Sequence, residues 1–182
     1  MKELSLNILD ITENSVKAGA SLTEITLTET EDTLVIVIKD NGCGMSEQTV
    51  RSVINPFYTT RTTRSVGLGI PLFKLAAEQT GGGIEIVSTP RTEDSENHGT
   101  TVTARFNKRH FDFTPLGDII STVTTLIQGH PDRDFIFTHT APDVSVRLDT
   151  RELREVLEDV PLNSPPVIVW IRENLEEQYN SI

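Results

Sequence analysis

Leu34-Val-Ile-Val-Ile-Lys-Asp40-Asn-Gly42-Cys-Gly44-Met45 carries more of the architecture than any other part of this chain. The apolar, β-branched run Leu34–Ile38 predicts a central strand. A glycine-rich turn follows it and leaves a carboxylate, Asp40, at the strand end. Upstream, Leu22–Thr28 alternates, with Leu22, Glu24 and Thr26 against Ile25 and Leu27, as a half-buried strand does. The polar residues Glu29–Asp32 join the two as a hairpin. Earlier still, residues 4–18 space Leu4, Ile8 and Ile11 along one helical face, and Gly19 suits a left-handed stop.

Downstream, a short helix is expected over Glu47–Ile54 with Ser46 as N-cap. Residues 55–66 read as loop. Leu68–Gln79 reads as a long helix closed by Gly81-Gly-Gly83, and the acidic loop Arg91–His98 joins strands at Ile84–Ser88 and Thr101–Phe106. Helices covering one face of a mixed sheet make an α+β fold, a two-layer α/β sandwich. The pattern changes near Lys108. Beyond it come an amphipathic helix over Pro115–Gln128, a hairpin of Asp134–Thr140 with Val144–Leu148, a helix capped by Thr150 and running through Leu157, and a last helix from Pro165-Pro166 to about Tyr179. The expected division is an N-terminal domain at 1–108 and a small α+β extension at 109–182 packed on it. The tail hairpin is further expected to complete one edge of the sheet.

Charge and composition exclude some classes of partner. Across 182 residues, 16 Lys and Arg face 27 Asp and Glu, a formal net charge of -11. That opposes general binding to nucleic acid or to anionic membrane. No apolar run approaches the roughly 18 residues that span a bilayer, and the N-terminus lacks the basic-then-apolar order of a signal peptide. One cysteine, Cys43, excludes an internal disulfide. A cytoplasmic location is the expectation.

Four short motifs follow one another: Asp10-Ile-Thr-Glu-Asn14-Ser-Val-Lys17, Asp40-Asn-Gly42-Cys-Gly44, Gly67-Leu68-Gly69 and Gly99-Thr100-Thr101. In this order, from about Leu4 to Phe106, the chain resembles the ATP-binding domain of the GHKL superfamily, which includes gyrase B, mismatch-repair MutL, the large heat-shock chaperone and the histidine kinases. Asn55-Pro-Phe57-Tyr-Thr-Thr60-Arg61 closely resembles the Pro-Phe-Phe/Tyr-Thr-Thr-Lys/Arg box of the histidine kinases.

The resemblance implies ATP and Mg²⁺ as cofactors. Asp10 and Asn14 lie four apart on one helix face, so the Asn14 amide oxygen can ligate Mg²⁺ while the Asp10 carboxylate orients or deprotonates a water. Mismatch-repair relatives carry Glu at the position of Asp10, one methylene longer. Lys17 stands where histidine kinases place a phosphate-contacting base. A carboxylate at Asp40 can accept the adenine amino hydrogens, with Gly42 and Gly44 expected to permit positive φ and a close backbone approach. Met45 follows in the same pocket. By resemblance Phe57 anchors a lid around Thr59–Val66, Thr60 and Arg61 belong to its nucleotide-facing box, and Thr100 helps hold a water beneath adenine. Gly67, Leu68 and Gly69 open a helix whose free N–H groups favour phosphate.

Each motif also has a plain reading: polar helix surface for Asp10 and Lys17, an ordinary Asp-Asn-Gly turn, a small residue at Cys43, and good strand formers at Thr100 and Thr101. The four histidines, His98, His110, His130 and His139, all follow the motifs and are expected at the surface or in packing. Typical histidine kinases carry their phosphoacceptor hairpin ahead of the ATP domain, so self-phosphorylation is not expected here. Three activities stay open: a slow ATPase switch reporting to a protein partner, a kinase acting in trans on a partner Ser or His, and an adaptor that binds without turnover. Arg151-Glu-Leu-Arg-Glu-Val-Leu-Glu-Asp-Val-Pro161-Leu-Asn is similar to the tails of small stand-alone proteins of this type from anaerobic bacteria, some encoded near iron hydrogenase or NADH dehydrogenase subunits. That similarity implies a redox-enzyme or signalling partner.

Overall fold

A computed structural model describes residues 3–55, 68–94 and 96–181. Helix α1 spans Leu4–Lys17, strands β1 and β2 span Leu22–Glu29 and Thr33–Asp40, and α2 spans Glu47–Ile54. Next come α3 at Gly69–Glu78, β3 at Gly83–Thr89 and β4 at Gly99–Asn107. The remainder holds α4 at Ile119–Gly129, β5 at Asp134–Ala141, β6 at Val144–Asp149, α5 at Thr150–Leu157 and α6 at Pro165–Asn180.

Six strands form one sheet in the order β3-β4-β2-β1-β5-β6. All neighbours are antiparallel except β1 and β5, which run parallel with Ile25 opposite Phe137. The tail hairpin therefore does complete one edge of the sheet. Alternation explains the two layers. Ile25, Leu27, Leu34, Ile36, Ile38, Val102, Ala104, Phe106, Phe135 and Phe137 share one buried face. Over it lie helices in the spatial order α3, α1, α4, α6, each touching the next. The opposite face alternates out to Glu24, Thr26, Val37, Lys39, Thr103 and Thr138, which are half-buried or exposed. Each fully buried Phe or Ile in the shared core contributes roughly 1.5–3 kcal/mol.

The tail also finishes the first helix. The α1 N-cap, Glu3, supplies no side-chain cap. Instead Leu4 N–H donates to the Pro115 carbonyl at 2.9 Å and Ser5 N–H to that of Leu116 at 2.8 Å, pairing donors that a helix start leaves open. This use of Pro115 and Leu116 accounts for one correction: the fourth helix begins at Ile119, with Asp118 as cap, and not at Pro115. The Asp118 carboxylate accepts from Ser121 N–H and Oγ, which holds its pKa below the ordinary carboxylate value. A second correction concerns Thr150. It is the first residue of α5 rather than its cap, because Asp149 accepts from Arg151 N–H, while Thr150 Oγ1 bridges Phe135 N–H and Asp134 across the sheet end. Ser46 caps α2 as expected, accepting from Thr49 N–H. Gly19 has φ +77, the left-handed stop of α1.

Candidate nucleotide site

Asp40 ends β2 opposite Thr23 of β1 and Thr100 of β4, so the sheet fixes its backbone. Its carboxylate is then held from three sides. Oδ2 accepts from Ser15 Oγ of α1 at 2.7 Å, and Oδ1 accepts from Gly42 N–H at 2.8 Å and Thr100 N–H at 3.3 Å. An ionised carboxylate offers about four lone-pair positions. Three are used, and the group remains half-buried. One acceptor position on Oδ2 is left for a donor from outside the protein.

The turn after Asp40 packs tightly on its neighbours. Gly44 has φ +68, and a Cβ there would lie 2.0 Å from the Thr89 carbonyl oxygen. Gly42 differs from expectation: its φ is not positive. A Cβ on Gly42 would instead meet Ala18 Cβ at 2.9 Å and Asp40 Oδ1 at 3.0 Å, so the protein's own packing requires the glycine. Cys43 N–H donates to the Ala18 carbonyl, and Met45 N–H donates to Ser88 Oγ at 2.8 Å. Ser88 Oγ also bonds Thr100 Oγ1 at 2.8 Å. Thr100 thus ties Asp40 to β3 through backbone and hydroxyl alike. Gly99, with φ +131, lets β4 start against the Asp40 carbonyl, which a Cβ would approach to 2.0 Å.

On α1, Asp10, Asn14 and Lys17 are all exposed, and their spacing sets them along one flank of the helix. The start of α3 approaches that flank. A Cβ built on Gly69 would lie 3.2 Å from Asp10 Cβ and 3.8 Å from Asn14 Nδ2. Leu68, exposed, stands at the N-cap of α3 without a side-chain cap. The positive end of a helix dipole therefore sits beside Asp10 and Asn14. Among the described residues no group of three or more His, Cys, Asp or Glu gathers to hold a metal. The donor set instead fits an ion that takes one oxygen from Asn14 and the rest of its shell from phosphates and water. Phe57, Thr60, Arg61 and Gly67, with the lid around Thr59–Val66, lie outside the described residues.

Sequence reasoning missed four contributors. Ser15 reads only as a position on the buried helix face, Ser88 as a strand residue, and Arg91 and His98 as loop. His98 Nδ1 lies 2.5 Å from the Gly42 carbonyl and Arg91 Nε 3.2 Å from His98 Nε2. The available signal was adjacency, since His98 directly precedes the Gly99-Thr100-Thr101 motif.

Residues 2–110 match the family model described as "Histidine kinase-, DNA gyrase B-, and HSP90-like ATPase". The chain belongs to this family. Its N-terminal part is thus an ATP-binding domain of the GHKL type. Among curated proteins it is similar to the sensor histidine kinase YvrG of Bacillus subtilis (strain 168), 34% identical over 102 residues, which are 53% of this chain and 17% of that protein. It is also similar to the sensor protein SrrB of Staphylococcus aureus (strain NCTC 8325 / PS 47), 30% identical over 93 residues, 48% of this chain and 16% of that protein. The chain therefore spans about a sixth of the length of these relatives. Among solved structures, the Aquifex aeolicus MutL ATPase domain complexed with ADP superposes with a TM-score of 0.55 at 15% identity, covering 87% of this chain and 70% of that one. The N-terminal domain of a DNA repair protein gives 0.53 at 17% identity, over 82% and 52%. Both likenesses cover more of the chain than residues 2–110 hold, so the shared fold takes in part of the tail. No helix among the described residues is long and apolar enough to cross a membrane.

Proposed function

We propose that this protein is a Mg-ATP-dependent switch with slow ATPase activity that reports nucleotide state to a protein partner in the cytoplasm. The observation carrying the proposal is the meeting of α3 with α1, where Gly69 brings a helix N-terminus against Asp10 and Asn14. Bound Mg-ATP supplies a transferable γ-phosphoryl group. The protein's own residues do the rest. Asp40 accepts a hydrogen bond from the base amino group at its remaining lone pair. The Asn14 amide oxygen ligates the ion, and Lys17 adds positive charge on the same flank. The exposed Asp10 carboxylate holds a water and takes its proton, an effect worth about 10²–10⁴ in rate.

A second reading is favoured by the similarity to sensor histidine kinases and by Lys17: transfer of the phosphoryl group to a Ser or His of a partner. The partner is a signalling protein or a redox enzyme. Following γ-labelled Mg-ATP with the purified protein separates the readings. Free phosphate whose release falls at least about a hundredfold in Asp10→Asn, with ATP still bound, supports the ATPase. Label that appears only on an added partner supports the kinase. Intact ATP under every condition leaves an adaptor and sinks both.

A further inference from the structure

The turn that follows Asp40 is gripped by two side chains outside the four motifs. The Gly42 carbonyl faces His98 Nδ1 at 2.5 Å, and His98 Nε2 faces Arg91 Nε at 3.2 Å. The roles in this chain of bonds are fixed by chemistry. An arginine Nε–H can only donate, so His98 Nε2 accepts. The imidazole proton therefore sits on Nδ1 and is donated to the carbonyl of Gly42. Arg91 closes the circuit through its backbone, donating N–H to the Cys43 carbonyl at 2.9 Å. Gly42 is then fixed on both sides, since its own N–H donates to Asp40 Oδ1 at 2.8 Å. The Asn41–Gly42 peptide unit carries the bond to the carboxylate, and the Gly42–Cys43 unit that follows it is anchored by His98 and by Cys43 N–H on the Ala18 carbonyl, which limits how far Gly42 can turn.

We infer that Arg91 and His98 are positioning residues for base recognition, acting through Gly42 to hold Asp40 where it reads an exocyclic amino group. This rests on the nucleotide reading given above. It extends that reading to residues of the β3–β4 loop and assigns them selectivity between a 6-amino and a 6-oxo purine. Neither residue takes part in phosphate chemistry. A carboxylate free to swing would still tolerate adenine but would lose its preference over a base that presents a carbonyl at the same place.

Binding of three probes tests the inference: ATP, inosine triphosphate and inorganic tripolyphosphate, each titrated with Mg²⁺ against the full chain and its variants. His98→Ala is expected to weaken ATP roughly five- to tenfold, as the loss of one part-buried hydrogen bond implies, and to leave tripolyphosphate unchanged. The ratio of ATP to inosine triphosphate affinity should fall with it. His98→Asn keeps a side-chain N–H near the Nδ1 position and should recover most of the ratio. Arg91→Ala should lower it about two- to threefold by the same bookkeeping. An unchanged ratio in His98→Ala overturns the inference. So does an equal loss for ATP and tripolyphosphate that tracks a fall in Tm, the signature of plain loop packing. Wild-type protein that binds none of the three probes would remove the nucleotide reading itself, an outcome read before any variant is made.

Discussion

Two polar clusters sit at opposite ends of the central strands, and they are built to opposite ends. At one end Asp40 is held by Ser15, Gly42 and Thr100, half-buried, with an acceptor position to spare. At the other end His139 of β5 is buried, with Nδ1 on the Tyr179 hydroxyl at 2.8 Å and Nε2 on Glu29 at 3.0 Å. Lys108 pairs with the second oxygen of Glu29. Every member of that second cluster has found its partner. Burial lowers the His139 pKa and Lys108 adds to this, against the Glu29 carboxylate that raises it. Burial likewise pushes the Tyr179 phenol up. A closed network of this kind fixes α6 and β5 to β1, while an open one leaves chemistry for a ligand to complete.

The comparison can be broken most severely by removing one end. Truncation after Phe106 deletes α4, β5, β6, α5 and α6 and uncovers the buried edge of β1, so cooperative unfolding should vanish in circular dichroism melts. A fragment that melts cooperatively and binds ATP would show that the closed cluster is dispensable. Next in size, Asp40→Asn replaces one acceptor oxygen with a donor at the open end. ATP affinity should fall by more than about tenfold while stability changes by only about 1–3 kcal/mol. Calorimetric binding beside a denaturant melt measures both.

The smaller effects belong to the closed end. His139→Ala removes the partner of the Tyr179 hydroxyl and of Glu29 Oε1, leaving Glu29 only Lys108, and should cost about 1–3 kcal/mol with ATP affinity unchanged. The pH dependence has a defined sign. An unfolded imidazole titrates at 6.5, and the folded value lies lower, so between the two the unfolded chain binds more protons. Stability should therefore be complete above 6.5 and fall as pH drops through the folded value. His139→Phe should flatten urea midpoints across that window. An unaltered slope would assign the acid sensitivity elsewhere.

How much of this was legible in the sequence differs between the same two ends. Asp40 announced itself because a carboxylate between a β-branched run and paired glycines is a local pattern. His139 did not, because Glu29 is brought to it by the parallel pairing of β1 with β5, Lys108 by the end of β4, and Tyr179 by the packing of α6. Periodicity located both strands but carries nothing about which neighbours which. The same limit hid the start of α4. Pro115 and Leu116 continue an amphipathic pattern, yet their carbonyls serve α1. Thr150 and Asp149 are both competent caps, and geometry chose the aspartate. His98 fell between the cases, one residue from a recognised motif but acting through its ring on a backbone carbonyl across the turn.

The parallel register between Leu22–Thr28 and Asp134–Thr140 has a consequence in time. During synthesis every motif residue leaves the ribosome before the strand that covers the open edge of β1 exists. Contacts of such long sequence separation form slowly, after loop closure has been overcome. Until the tail arrives, a hairpin with a bare edge and an unfinished first helix waits in solution, the kind of intermediate that chaperones meet. Competence of the nascent nucleotide site is thereby scheduled by the last third of the chain.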